Sequence, residues 1–330
     1  MFFHSCYLID MSDSLTYIAT VIALFIFSYL YISLAKKWGI EDVPNERSSH
    51  SQKTIRGGGI IFVVALLIYF VSHSLSYPYL AAAIAILAII SFIDDIRSLG
   101  TGIRLVFQFV GIGLILYQVN LFQMPFWYLI PIFITCLGML NIFNFMDGIN
   151  GITGFYTLVA IGTFLYMNQI NPIIDNAILI YGFIGVAVFG FFNFRKKALF
   201  FAGDIGSITI GVFILYLTLH FCIQLNSIIP LLFISVYFVD GSVTIMERLL
   251  KKENIFKPHK SHLYQVLTQK TELTHLQVSG LFAFVQLCIN GVAIYSILKG
   301  KPNTGILFTL IVLLILTISC FIIKRKVNKK

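Results

Sequence analysis

Charge is what this sequence lacks most. Asp, Glu, Lys and Arg together supply 11% of its 330 residues, against roughly 25% in an average soluble chain. So little polar side chain cannot clothe a water-soluble globule of this size. Disorder is excluded from the other direction, because 58% of the residues are hydrophobic. Five cysteines (Cys6, Cys136, Cys222, Cys288 and Cys320) lie far apart, which argues against a metal cage or a disulfide framework. There is no Walker or dinucleotide fingerprint, and no serine or cysteine nucleophile beside its base. The first residues lack the basic start and short apolar core of a secretory signal, so the first apolar run reads as a retained span.

What the sequence does have is apolar length, with a mean hydropathy of +0.90. A helix crossing a bilayer needs about 17–25 apolar residues. Eleven runs approach that length, near 15–34, 59–77, 79–93, 103–119, 126–145, 152–168, 173–194, 207–224, 228–246, 276–298 and 304–323. They predict an all-α, polytopic membrane bundle of eleven helices forming one transmembrane domain over 1–330. The net charge of +9 then marks the cytoplasmic side rather than nucleic-acid binding. With the N-terminus outside and the C-terminus cytoplasmic, every Lys and Arg except Lys299 and Lys301 falls inside. The cytoplasmic loops are expected near 35–58, 94–102, 146–151, 195–206 and 247–275.

An ionised side chain costs about 2.5–3.5 kcal/mol at mid-bilayer, so the few acids need reasons. Asp94 and Asp95 close the third run. Two adjacent carboxylates repel by about 1 kcal/mol even in water, and a Mg²⁺ ion reverses that sign; an ordinary helix end is the other reading. Asn141, Asn144 and Asp147 recur every three residues on one helical face, followed by the glycine turn GINGITG. That pattern is open to a hydrogen-bonded helix seam or to a phosphate cradle. Asp204 opens a helix in FFAGDIGS, either as an N-cap or with backbone pressed against a base or phosphate. His259 and His262 flank Lys260, a set that suits phosphate better than zinc. Asn45 and its polar neighbours precede Arg56 and three glycines in a loop dense in hydrogen-bonding groups. Asp240, Thr244 and Arg248 step by four along the ninth run, and an acid within the membrane is a functional candidate by default.

Carboxylates, amides, cations and histidines gathered at one membrane face suit transfer between phosphates. The stretches PNERSSHSQKTIRGGGI, FIDDIRSLG, NFMDGINGITG, FAGDIGS and FKPHKSHLYQ resemble, in order, those of the polyprenyl-phosphate N-acetylhexosamine-1-phosphate transferase family, glycosyltransferase family 4. The resemblance covers roughly residues 40–265 and is nearest to the branch that initiates O-antigen and surface polysaccharides. It implies that a UDP-N-acetylhexosamine donates its sugar-1-phosphate to undecaprenyl phosphate and releases UMP. The setting implied is the cytoplasmic face of a bacterial inner membrane, with Mg²⁺ as cofactor and Mn²⁺ as a substitute. A homodimer is left open.

By the same resemblance Asp94 and Asp95 bind Mg²⁺ or deprotonate the lipid phosphate, and Asp204 is a Mg²⁺ ligand. Asn144 and Asp147 line the catalytic and nucleotide site, Phe201 stacks on uracil, and His259 and His262 contact the donor phosphates or sugar. Asn45, Arg56, Asn150 and Arg248 complete the expected substrate contacts. Two departures stand out. Asn150 replaces the family's second aspartate, and Lys53-Thr54-Ile55-Arg56 replaces a Pro-Thr-Pro-Arg stretch. The rival readings are the peptidoglycan lipid-intermediate step of the same family and a secondary transporter relaying ions through Asp240.

Overall fold

A computed structural model describes residues 11–42, 53–254, 260–300 and 305–328. Helix α1 (Met11–Trp38) leads through strand β1 (Glu41–Asp42), paired antiparallel with β2 (Thr54–Ile55), into α2 (Ile60–Ser72). Then come α3 (Pro78–Ile96), α4 (Thr101–Gln118), α5 (Phe126–Met146), α6 (Ile152–Ile170), α7 (Asn176–Asn193) and α8 (Gly203–Gln224). A 3₁₀ segment (Ile229–Ile234) runs into α9 (Ser235–Leu250), followed by α10 (Leu263–Lys270), α11 (His275–Lys299) and α12 (Gly305–Asn328). The all-α expectation holds. Among the described residues nine helices are long and apolar enough to cross a membrane.

Every predicted run coincides with a helix, but three details differ. The second run stops at Ser72, so α2 has 13 residues, fewer than the ~20 a bilayer core asks for. Ser74, Leu75 and Tyr77 turn the chain there with positive φ. The ninth run is broken, because Pro230 sits in a 3₁₀ start rather than a continuous helix. Gln286 of α11 satisfies the backbone freed at the break, accepting from Val236 N at 2.9 Å and donating to the Leu232 carbonyl at 2.7 Å. Finally, the loop predicted over 247–275 contains α10, an amphipathic helix of 8 residues.

Helix α8 is the hub: 83% of its apolar window is buried, against 11% for α12. Gly59 and Gly206 let the starts of α2 and α8 touch backbone to backbone, leaving no room for a Cβ at either. Because successive helices alternate in direction, the ends of α3, α5 and α7 meet the starts of α4, α6 and α8 at one end of the bundle. Most of the cations lie at that end. At the other end Tyr69 donates to Asp175 at 2.8 Å and the Gln118 side chain accepts from Tyr79 N.

Candidate active site

The site is built around the first turn of α8. The segment after β2 lies along it as a strap: Phe201 N donates to the Ile55 carbonyl, Gly58 N to Phe201 O and Gly59 N to Ala202 O, at 2.8–2.9 Å. This places Arg56 over the helix start. Gly203 has φ +73°, and a Cβ there would strike the Asp95 carboxylate and the Gly57 backbone. Only glycine suits that combination. Phe200 packs against Phe192, whereas the neighbouring Phe201 ring is part-buried.

Five charged side chains converge here. Asp95, whose side chain is fully buried, accepts from Asp204 N at 2.9 Å and Ile205 N at 3.0 Å. It thereby caps α8, whose free N–H groups and positive dipole end favour a carboxylate. Arg56 Nε lies 2.7 Å from the same carboxylate, and Arg56 Nη2 3.0 Å from Asp204. Burial works against the Arg56 charge, but Asp95, then Asp204 and Asp42, more than offset it and raise its pKa. Asp94 accepts from Leu99 N, and Arg104 Nη1 sits 3.2 Å from Asp94 and 3.6 Å from Asp204. Asp94 and Asp204 thus share Arg104 Nη1. Two carboxyls drawn to one point favour a shared proton or a cation between them.

Asp147 ends α5 beside this cluster. Thr153 Oγ1 donates to it at 2.6 Å. Burial pushes Asp147 up to about 6; the Thr153 hydrogen bond and Arg56 act downward, and the nearby Asp204 charge upward. Asn144, part-buried, accepts the Asp147 amide on its backbone carbonyl. Asn141 belongs to a helix seam, donating to Gln108 of α4 at 2.9 Å. Asn150 is 5% exposed and donates to the carbonyls of Arg195 (2.8 Å) and Lys196 (3.2 Å). It fastens the α5–α6 turn to the α7–α8 loop.

The start of α10 reaches the same region, since Tyr264 donates to the Phe145 carbonyl at 2.9 Å and fills the space above Gly148. His262 precedes it, buried, with Nδ1 3.7 Å from Asp240. Asp240 also accepts from Leu263 N at 2.8 Å, so this intramembrane acid anchors α10. Arg248 is buried and holds the following chain, donating to Glu253 at 3.1 Å and to the Asn254 carbonyl at 2.6 Å. Asn45 and His259 lie outside the described residues.

Of the expected site residues, Asp94, Asp95, Asp204, Arg56 and Asp147 form one charged cluster, with Phe201 beside it. His262 and Arg248 organise the adjacent loop. Arg104, Thr153 and Tyr264 were not anticipated. Arg104 carried a signal, because its place ten residues after Asp94 returns it to that acid across a tight helical turn. Among the described residues no group of three or more His, Cys, Asp or Glu is arranged as a metal-ligand set. A cavity of 580 Å³ lies at the opposite end of the bundle. Its two acids, Asp13 and Asp175, stand in the first turn of α1 and at the N-cap of α7, which accounts for both.

The carboxylates and arginines thus gather at the cation-rich end of a bundle of helices long and apolar enough to cross a membrane. The chain is similar to membrane sugar-phosphate transferases: a glycosyl transferase family 4 model matches residues 77–222, from the turn before α3 to the last turns of α8. That window contains Asp94, Asp95, Asp147 and Asp204. The chain is 24% identical over 276 residues to a probable undecaprenyl-phosphate N-acetylglucosaminyl 1-phosphate transferase of Bacillus subtilis, covering 76% of each. It is 26% identical to the undecaprenyl-phosphate α-N-acetylglucosaminyl 1-phosphate transferase of Escherichia coli K12, covering 77% of each. It is 27% identical to the phospho-N-acetylmuramoyl-pentapeptide-transferase of Streptococcus mutans, covering 70% of this chain and 77% of that one.

Proposed function

We propose that this protein transfers an N-acetylhexosamine-1-phosphate from a UDP-sugar to undecaprenyl phosphate, releasing UMP, at the cytoplasmic face of a bacterial inner membrane. The observation that carries the reading is the pairing of Asp94 and Asp204 on Arg104, with Arg56 on the far side of Asp204, at the bundle end richest in cations. The names of the Bacillus and Escherichia relatives support N-acetylglucosamine as the sugar and undecaprenyl phosphate as the lipid. The product would begin an O-antigen or other surface polysaccharide.

A Mg²⁺ ion fits the donor set. Mg²⁺ takes hard oxygen ligands and is commonly held by one or two carboxylates plus substrate phosphates and water. Asp94 and Asp204 would hold it; Asp95 would not, because its oxygens are engaged by Arg56 and by the amides of α8. When bound, the ion would neutralise charge on the donor pyrophosphate.

In the reaction an oxygen of the lipid phosphate bonds to the β-phosphorus of the donor, and the bond to the UMP oxygen breaks. Asp147, with one oxygen held by Thr153, keeps the other to take a proton from the incoming phosphate. Arg56 and Arg104 fix the carboxylates and limit their mutual repulsion. Asn144 and Phe201 bind the nucleotide, with the Phe201 ring against uracil, and His262 contacts the donor phosphates. The family resemblance adds His259 and Asn45 to those contacts.

The test is UMP release by detergent-purified protein supplied with undecaprenyl phosphate, Mg²⁺ and a panel of UDP-N-acetylhexosamines. Release that needs both lipid and Mg²⁺, with one sugar preferred, supports the reading. No release with any donor from folded protein would overturn it.

A further inference from the structure

Helix α12 is nearly bare. Only 11% of its apolar window is buried, as expected of a helix facing lipid. Near its end, however, Lys324 is 2% exposed while the adjacent Arg325 and Lys326 are exposed. A lysine at the end of a membrane helix ordinarily extends its amine toward the headgroups. This one turns inward. Its ammonium donates to Glu247 Oε2 at 2.7 Å and to Thr244 Oγ1 at 3.0 Å, both on α9.

The contacts continue beyond Thr244. Its hydroxyl, wholly buried, donates to Asp240 Oδ1 at 3.3 Å. The same oxygen accepts the Leu263 amide at the start of α10 and lies 3.7 Å from His262 Nδ1. A polar chain thus runs from α12 through α9 to the residue that caps α10. Burying an ammonium is costly unless it is paired and hydrogen-bonded, and here the pairing joins α12 to α9, whose Asp240 holds the start of α10. Gly305, Thr309, Cys320 and Lys324 are the buried positions of α12, one narrow stripe that ends at this contact.

The geometry points to Lys324 as a positioning residue: through Thr244 and Asp240 it fixes where His262 stands, so the C-terminal helix is a clasp on the donor-binding loop. The inference rests on the reading that His262 contacts the donor phosphates. Lys324 touches no substrate in this arrangement; it acts by holding Asp240 and therefore His262 in register.

The test is a double-mutant cycle on UMP release, using Lys324→Met, His262→Ala and their combination, with UDP-N-acetylglucosamine and undecaprenyl phosphate. Lys324→Met should lower turnover about tenfold, within the range of coupling between contacting polar residues. It should cause no further loss when His262 is already alanine. Lys324→Arg should recover most of the activity. Thr244→Val is near-isosteric, interrupts the chain and leaves the Lys324–Glu247 pair, so it should reproduce the loss even if Lys324→Met fails to fold. Losses that multiply in the double variant would overturn the clasp, as would full activity in both Thr244→Val and Lys324→Met. Full activity in His262→Ala would overturn the role of His262 itself, and the clasp with it.

Discussion

Asp95 caps the helix that presents Asp204: its carboxylate accepts the Asp204 amide at 2.9 Å, across 109 residues of sequence. Adjacent acids therefore have different work. Asp94 shares Arg104 with the Asp204 carboxyl, whereas Asp95 holds the helix beneath it.

This division predicts opposite stabilities for two inactive variants. Asp95→Ala strips the α8 cap and leaves Arg56 without its nearer partner, a loss of about 3–5 kcal/mol for a broken buried pair. Asp204→Asn removes one of three crowded negative charges and should leave thermal unfolding near that of the unaltered protein. Melting in detergent beside UMP release separates them. A stable Asp95→Ala variant would show that the cap is dispensable.

Asn150→Asp restores the acid expected from the family resemblance, and it should harm the protein. The Asn150 amide donates to two backbone carbonyls; a carboxylate donates nothing and would repel both. An unsatisfied buried group costs about 1–3 kcal/mol, more when charged. A lower melting temperature at neutral pH is the expected result, and equal stability with higher activity would contradict it.

Asp147 gives the pH dependence. If its carboxylate must be ionised, activity falls as pH drops through about 6. Thr153→Val removes the hydrogen bond that favours the anion, so the acid limb should move to higher pH with little change on the plateau. The stability sign is separate. A folded pKa raised above the unfolded 3.8 contributes stability that is full below 3.8 and lost as pH rises through about 6. A pH–rate profile of both proteins decides, and an unmoved limb would remove Asp147 from the proton-accepting role.

Gly203→Ala should be among the most damaging small changes. It places a Cβ against Asp95 and the Gly57 backbone at positive φ, a strain on the order of 1–3 kcal/mol. Because strap and cap meet there, UMP release should fall more steeply than the melting temperature, which a paired assay would show.

Much of this was legible in the sequence, because apolar length and cation placement report on helices one at a time. The acids were legible too, since each is costly near a membrane. The rest depends on partners distant in sequence. Arg104 reads as one more positive-inside cation until α3 and α4 are laid together. Asn150 reads as a substrate contact until Arg195 and Lys196 arrive 45 and 46 residues later. Helix α10 is only 8 residues long, too short for its amphipathic pattern to stand out in a charged loop. The break in the ninth run falls at Pro230, but the Gln286 that satisfies its freed backbone stands on another helix.

The strap bearing Arg56 has a consequence for biogenesis. Arg56 precedes its partner Asp204 by 148 residues, so helices α2 to α7 are all made before the strap has an α8 to lie on. Until then the arginine has Asp95 but not Asp204 to pair with. Each acid of the cluster is synthesised after it and meets a countercharge already waiting, and the reaction centre closes only when the hub helix inserts.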